Sequence, residues 1–157
     1  MKATIALLPL LTLVVAGFDR DNMSLKDGDC TSLSLSDKTI LQAECTNPAL
    51  KYTPNDRERM YLTLDRCFAN YLGTLNYVPH GNFGNSCKDC HIDNYVLTCQ
   101  CEIGKGQGTK KTTYNLNNSD VIKLKSNDFN YTMECHGLND VTSLKRDEKK
   151  QARPFFA

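Results

Sequence analysis

Residues 87–101 read Cys87-Lys88-Asp89-Cys90-His91-Ile92-Asp93-Asn94-Tyr95-Val96-Leu97-Thr98-Cys99-Gln100-Cys101. Two cysteines open the segment and two close it around a short β-prone run, Tyr95 to Thr98. In an antiparallel hairpin, facing residues keep a constant sum of residue numbers. The nested pairs Cys87–Cys101 and Cys90–Cys99 differ in that sum by one, whereas the crossed pairs differ by five. Only the nested pairs share a register. The spacing from Cys87 to Cys90 then demands a bulge or an off-ladder position between them.

Outward from this hairpin the chain repeats itself. Cys30 stands 57 residues before Cys87, and Cys45 stands 56 before Cys101. Tyr61-Leu62-Thr63-Leu64-Asp65 precedes Thr113-Tyr114-Asn115-Leu116-Asn117 by 52, and Gly73-Thr74-Leu75-Asn76-Tyr77 precedes Tyr131-Thr132-Met133-Glu134-Cys135 by 58. Landmarks in one order at a nearly fixed offset are an internal duplication, with copies over about 28–79 and 82–136. By the duplication, Cys30 pairs with Cys45. Short alternating segments predict a mostly β chain: 33–35 and 40–43 around the turn Ser36-Asp37-Lys38, then 60–64 and 74–78. A helical turn is expected within 65–71, and the Asn-, Gly-, Lys- and Thr-rich residues 104–113 read as a loop.

The two ends differ from the middle. Met1-Lys2, the apolar run Thr4 to Val15 and the small residues Val15-Ala16-Gly17 form the pattern of a signal peptide over residues 1–17. The run is too short for the roughly 20 residues that span a bilayer. Residues 18–26 read as a polar leader and 138–157 as a charged flexible tail, in which Lys145-Arg146 forms a dibasic pair. Secretion implies an oxidising compartment, where 8 cysteines read as disulfides before metal or redox chemistry. A four-thiolate zinc site at Cys87, Cys90, Cys99 and Cys101 has acceptable spacing, yet it needs free thiols that this compartment does not favour. Sequons at Asn22, Asn117 and Asn130 agree with a secretory route. The 19 Lys and Arg nearly balance the 18 Asp and Glu, which leaves no basic footprint for nucleic acid.

Certain tokens carry a family resemblance. They are Thr39-Ile40-Leu41-Gln42-Ala43-Glu44-Cys45, the stretch Leu64-Asp65-Arg66-Cys67-Phe68-Ala69-Asn70-Tyr71-Leu72-Gly73-Thr74-Leu75, and Gly81-Asn82-Phe83 before Ser86-Cys87. In order and duplication they resemble the cyanovirin-N homology family, particularly its secreted fungal members, over residues 27–137. The resemblance implies an all-β fold of two pseudo-symmetric halves. Each half combines a triple-stranded sheet from one copy with a hairpin exchanged from the other. It also implies a lectin for mannose-rich glycans, with up to one shallow site at each end and no metal or other cofactor. Cys67 and Cys135 remain, and the resemblance makes their pairing plausible, because the last strand of copy two would lie against the first half.

The resemblance carries over a carbohydrate-binding set of Asn70, Asn82, Phe83, Asn85 and Ser86. Amides and hydroxyls can replace water around sugar hydroxyls, so the residue types suit the task. The set is only partly kept. Leu72 stands where the family has an acid, and Glu102-Ile103-Gly104 where it has a basic-polar run. At the other end Asp29 and Thr46 are retained, but Lys125 to Asn130 replaces the family's Asn-x-x-Gly turn, so that end is expected to be weak. His80, His91 and His136 lack an oriented partner and read as exposed loop residues, without a catalytic role. The expected partners are mannose-type glycans or glycoproteins, with no nucleic acid and no membrane span. A monomer is expected, with a domain-swapped dimer as the alternative. The rival reading is a secreted interaction or effector protein that keeps the scaffold without sugar binding.

Overall fold

The computed structural model describes residues 23–46, 57–118, 120–127 and 130–139. The signal-peptide and tail expectations lie outside them, as do the Asn22 sequon and the side chain of Asn130. Copy one supplies β1 (Thr31–Ser36), β2 (Ile40–Thr46), β3 (Arg57–Thr63), β4 (Phe68–Tyr71) and β5 (Thr74–Tyr77). Copy two repeats the order with β6 (Cys87–Asp93), β7 (Val96–Glu102), β8 (Thr109–Asn115), β9 (Lys123–Asn127) and β10 (Asn130–Cys135), and β11 (Leu138–Asn139) closes the described chain. Each copy forms one three-stranded antiparallel sheet, β1-β2-β3 or β6-β7-β8, and one hairpin, β4-β5 or β9-β10.

Alternation explains the sheets. In β2, Leu41, Ala43 and Cys45 point into the core while Ile40, Gln42, Glu44 and Thr46 do not; in β7, Leu97, Cys99 and Cys101 do the same. Register follows, because a one-residue slip would turn these buried side chains to water. Burying one such leucine contributes roughly 1.5–3 kcal/mol. The irregularity expected between Cys87 and Cys90 is a register shift between Lys88 and His91, and β1 carries a counterpart between Thr31 and Ser34. Ser32 and Asp89 take positive φ there (53° and 52°).

The hairpins are exchanged. The β4-β5 hairpin of copy one lies beside β8 of copy two, where the Leu75 N–H donates to Thr112 Oγ1 at 3.2 Å. The Phe68 ring sits 4.8 Å from Tyr114 and 6.2 Å from Phe83, both edge-on. Reciprocally, β10 of copy two packs on β3 of copy one. All four bridges form: Cys30–Cys45, Cys87–Cys101, Cys90–Cys99 and Cys67–Cys135. The first three stay within one sheet, and the last joins the copies.

Three local expectations change. The helical turn is a 3-10 turn confined to Leu64–Arg66, because Phe68 and Ala69 are buried strand residues. The loop over 104–113 ends early, since β8 starts at Thr109. Only Thr112 of that strand is buried, so it has no apolar period to read, and its ladder to β7 sets its conformation. Finally, part of the polar leader is packed: Leu25 is fully buried and Met23 bridges Leu124.

Candidate functional site

The segment linking the copies, 78–86, is held against the first copy's 3-10 turn by its backbone. Val78 N–H donates to Cys67 O, His80 N–H to Arg66 O, and Asn82 N–H to Asp65 O, at 2.8–3.0 Å. Gly81 permits this approach, since a Cβ there would run into the Phe68 carbonyl. Asp65 Oδ1 then accepts from Gly84 N–H at 2.8 Å. Asn82 takes the left-handed conformation (φ 50°, ψ 45°), which asparagine tolerates better than most residues, and opens a second 3-10 turn, Phe83–Asn85.

This anchoring decides which predicted residues face water. Asn82 and Asn85 are exposed, Ser86 is half-buried, and Phe83 is entirely buried in the aromatic cluster. Phe83 therefore shapes the turn from below and offers no surface to a ligand. Asn70 belongs to the protein's own network. Its amide donates to Ser86 Oγ at 3.0 Å and to Glu102 O at 2.9 Å, and its Oδ1 accepts from Gly73 N–H at 2.8 Å. It clamps the β4-β5 tip onto the start of β6 and the end of β7. The Asn82 amide makes a weaker bond, to His80 O at 3.2 Å.

The corresponding end of copy one is ionic. Asp29 precedes Cys30 as Ser86 precedes Cys87, and Thr46 follows Cys45 as Glu102 follows Cys101. Here Asp29 Oδ2 accepts from Thr46 Oγ1 at 3.0 Å and from Arg57 Nη1 at 3.3 Å, while Arg57 Nη2 also reaches the Asp29 carbonyl. Arg59 pairs with Glu44 at 2.7 Å on the next row.

Sequence reading missed several contributors. Asp65 and Asn117, equivalent in the two copies, each fasten the turn leading into the other copy's sheet: Asp65 binds Gly84 N–H, and Asn117 Oδ1 accepts from Lys26 N–H at 2.8 Å. Their shared place after a leucine in each copy was the available signal. Tyr71 and Leu72 are exposed beside the clamp. His136, expected in an exposed loop, is half-buried instead. It stacks on Tyr77 (centroids 3.7 Å apart), its backbone N–H donates to Tyr77 Oη at 3.0 Å, and that hydroxyl donates to Val121 O at 2.8 Å. Among the described residues no cluster of three or more His, Cys, Asp or Glu could hold a metal, and no helix is long and apolar enough to cross a membrane.

Two duplicated, hairpin-exchanged and disulfide-stapled β repeats with a polar turn at their joint define the class. Residues 27–128 match the CVNH domain model, well over half of the chain, and the protein belongs to that family. Among solved structures it is similar to TbCVNH of T. borchii, at 26% identity and TM-score 0.51 over 60% of this chain and 88% of that one. A designed cyanovirin-N homolog lectin, LKAMG, matches at 21% identity and TM-score 0.52, over 64% of this chain and 92% of its own. A MoCVNH3 variant in complex with (N-GlcNAc)4 matches at 13% identity and TM-score 0.50, over 63% and 89%. These last two share the fold. No curated protein matches the sequence.

Proposed function

We propose that this protein is a secreted, non-enzymatic lectin for mannose-type glycans, binding through the joint turn with Asn82, Asn85 and Ser86. The observation that carries the reading is an anchored turn that keeps its asparagine side chains exposed, one of them making only a weak bond to His80 O. Gly81, Asp65 and Phe83 fix the backbone, while Asn82 and Asn85 stay exposed. A preorganised polar turn loses little entropy when it exchanges water for sugar hydroxyls. Asn70 acts indirectly, by holding Ser86 and the hairpin tip in place. Family membership supports sugar binding, as does the name of the designed homolog. The signal-peptide pattern of residues 1–17 and the four disulfides support secretion.

The copy-one end is the weaker candidate, because Asp29 is already engaged by Thr46 and Arg57. One observation favours the rival scaffold reading: Asn70, an amide the resemblance assigns to ligand, has its donors and its acceptor occupied by the protein. A glycan array followed by NMR titration with a mannose disaccharide separates the two. The lectin reading expects amides of residues 70–86 to shift first. Absence of binding to any glycan leaves the scaffold, and shifts confined to Asp29 and Thr46 move the site to the other end.

A further inference from the structure

The duplication supplies an internal control for one side chain. Asp65 and Asn117 stand at equivalent positions, 52 residues apart, and both are half-buried. Each accepts one backbone hydrogen bond at 2.8 Å, Asp65 Oδ1 from Gly84 N–H and Asn117 Oδ1 from Lys26 N–H. Carboxylate and amide oxygens both accept, so either residue type serves this task. Asn117 differs in carrying a donor group, Nδ2, and the fold does not use it. Among the described residues none accepts from that nitrogen. A donor kept where the structural task needs only an acceptor points to a role outside folding.

The surroundings have room for a bulky group. Asn117 lies between β8 and β9 with Asn115, Asn118 and Asp120 exposed around it, and Lys26 and Asp27 are exposed across its hydrogen bond. The backbone beneath is fixed. Leu116 is fully buried and its N–H donates to Tyr95 O at 2.8 Å, while Asn117 N–H donates to Asn115 Oδ1 and Val121 N–H to Asn118 O, both at 2.9 Å. Asn117 also heads the sequon Asn117-Asn118-Ser119, whose serine lies outside the described residues. An acceptor asparagine belongs on a surface loop, because the glycan it carries is large and hydrated.

We propose that Asn117 carries an N-linked glycan in the secreted protein and divides its side chain between two tasks: Oδ1 caps the leader turn, and Nδ2 holds the sugar. The proposal rests on the secretory reading above. In the transfer, Nδ2 attacks the anomeric carbon of an oligosaccharide carried on a lipid pyrophosphate. A C–N bond forms and the bond from that carbon to the pyrophosphate oxygen breaks. The lipid pyrophosphate leaves with the electron pair, and the amide gives one proton to a base of the transferase. The product amide keeps its carbonyl oxygen, so the bond from Lys26 N–H survives. Lys26 O in turn accepts from Asp29 N–H at 3.0 Å. The glycan therefore stands at the leader turn, the counterpart of the joint turn, next to the ionic end of copy one.

Expression in a yeast secretory host tests this, once with the chain's own residues 1–17 and once behind the host's signal peptide. Mass spectrometry of the secreted protein should find the peptide containing Asn117 glycosylated, and peptide N-glycosidase should leave aspartate at that position. Ser119→Ala and Asn117→Asp should each lose this glycan. The structural half is read on protein made without glycans in a bacterial periplasm. There Asn117→Asp should melt as the wild type does, because it keeps an acceptor for Lys26 N–H, and Asn117→Ala should melt lower. An unmodified Asn117 in the secreted protein overturns the proposal. A Tm for Asn117→Asp as low as that of Asn117→Ala overturns the division of tasks. If only the host's signal peptide delivers protein to the medium and Asn117 is glycosylated there, the reading of residues 1–17 falls and the acceptor stands.

Discussion

The two ends of the duplicated fold occupy equivalent positions and hold themselves together by different chemistry. Copy one uses an exposed ion pair inside a single sheet, Asp29 with Arg57 at 3.3 Å, helped by Thr46. Copy two uses a neutral amide, Asn70, reaching from the exchanged hairpin to Ser86 and Glu102. An exposed ion pair is screened by salt and is worth little. An amide with three partners is insensitive to salt and joins elements that are far apart in sequence. One sheet bridge is common to both copies, Cys30–Cys45 and Cys87–Cys101, and Cys90–Cys99 belongs to copy two alone, while the polar chemistry of each end diverged on top of this framework.

The sharpest way to break this comparison is to cut what joins the copies. Replacing Cys67 and Cys135 with serine reopens a loop spanning a sequence separation of 68 residues, at a cost of about 4 kcal/mol in the chain-entropy model. Removing Cys30–Cys45 (separation 15) should cost about 3 kcal/mol. Denaturant melts of the two double mutants should rank them in that order. Next, Asn70→Ala leaves the Gly73 N–H and the Glu102 carbonyl without their partner and should cost about 1–3 kcal/mol. If stability in urea is unchanged, Asn70 is no clamp.

Tyr77 gives a smaller effect with a pH signature. Burial pushes its phenol above the usual tyrosine range, against the pull of the His136 N–H bond. A raised folded pKa means that this contribution is fully present below about pH 10 and is lost as pH rises through the folded value. Tyr77→Phe should cost roughly 0.5–1.5 kcal/mol at neutral pH and flatten the alkaline loss. A Tm profile above pH 9 checks both. The smallest effect belongs to the ionic end: Arg57→Ala should change stability by about 0.2–1 kcal/mol, and less in high salt. A larger, salt-independent loss would make the two ends alike.

Much of the fold was legible because cysteine spacing and strand alternation are local. The nested Cys87–Cys101 and Cys90–Cys99 pairs and the bulge between Lys88 and His91 follow from residue numbers alone. Strand β8 was not legible, since a ladder to β7 and one buried threonine leave no hydrophobic period. Site residues were read by type, which does not say where a side chain spends its hydrogen bonds. Asn70 and Asn82 look alike in sequence, yet one is consumed by Ser86, Glu102 and Gly73 while the other faces water. Phe83 shows the same limit, because the resemblance carried it over as a site residue and only the ring of Phe68 packed against it shows that it is buried.

The Cys67–Cys135 bridge also sets a timetable for synthesis. Its separation is 68 residues, whereas the other three bridges span separations of 9 to 15. Cys30, Cys87 and Cys90 each meet their partner soon after emerging from the ribosome. Cys67 must wait until the whole second copy has been made. The first copy's sheet likewise lacks its packing hairpin, β9-β10, until residue 135 has been made. Nascent chains arrested before residue 135 should therefore carry a free thiol at Cys67, open to the cell's disulfide-exchange machinery, while the earlier loops are already closed.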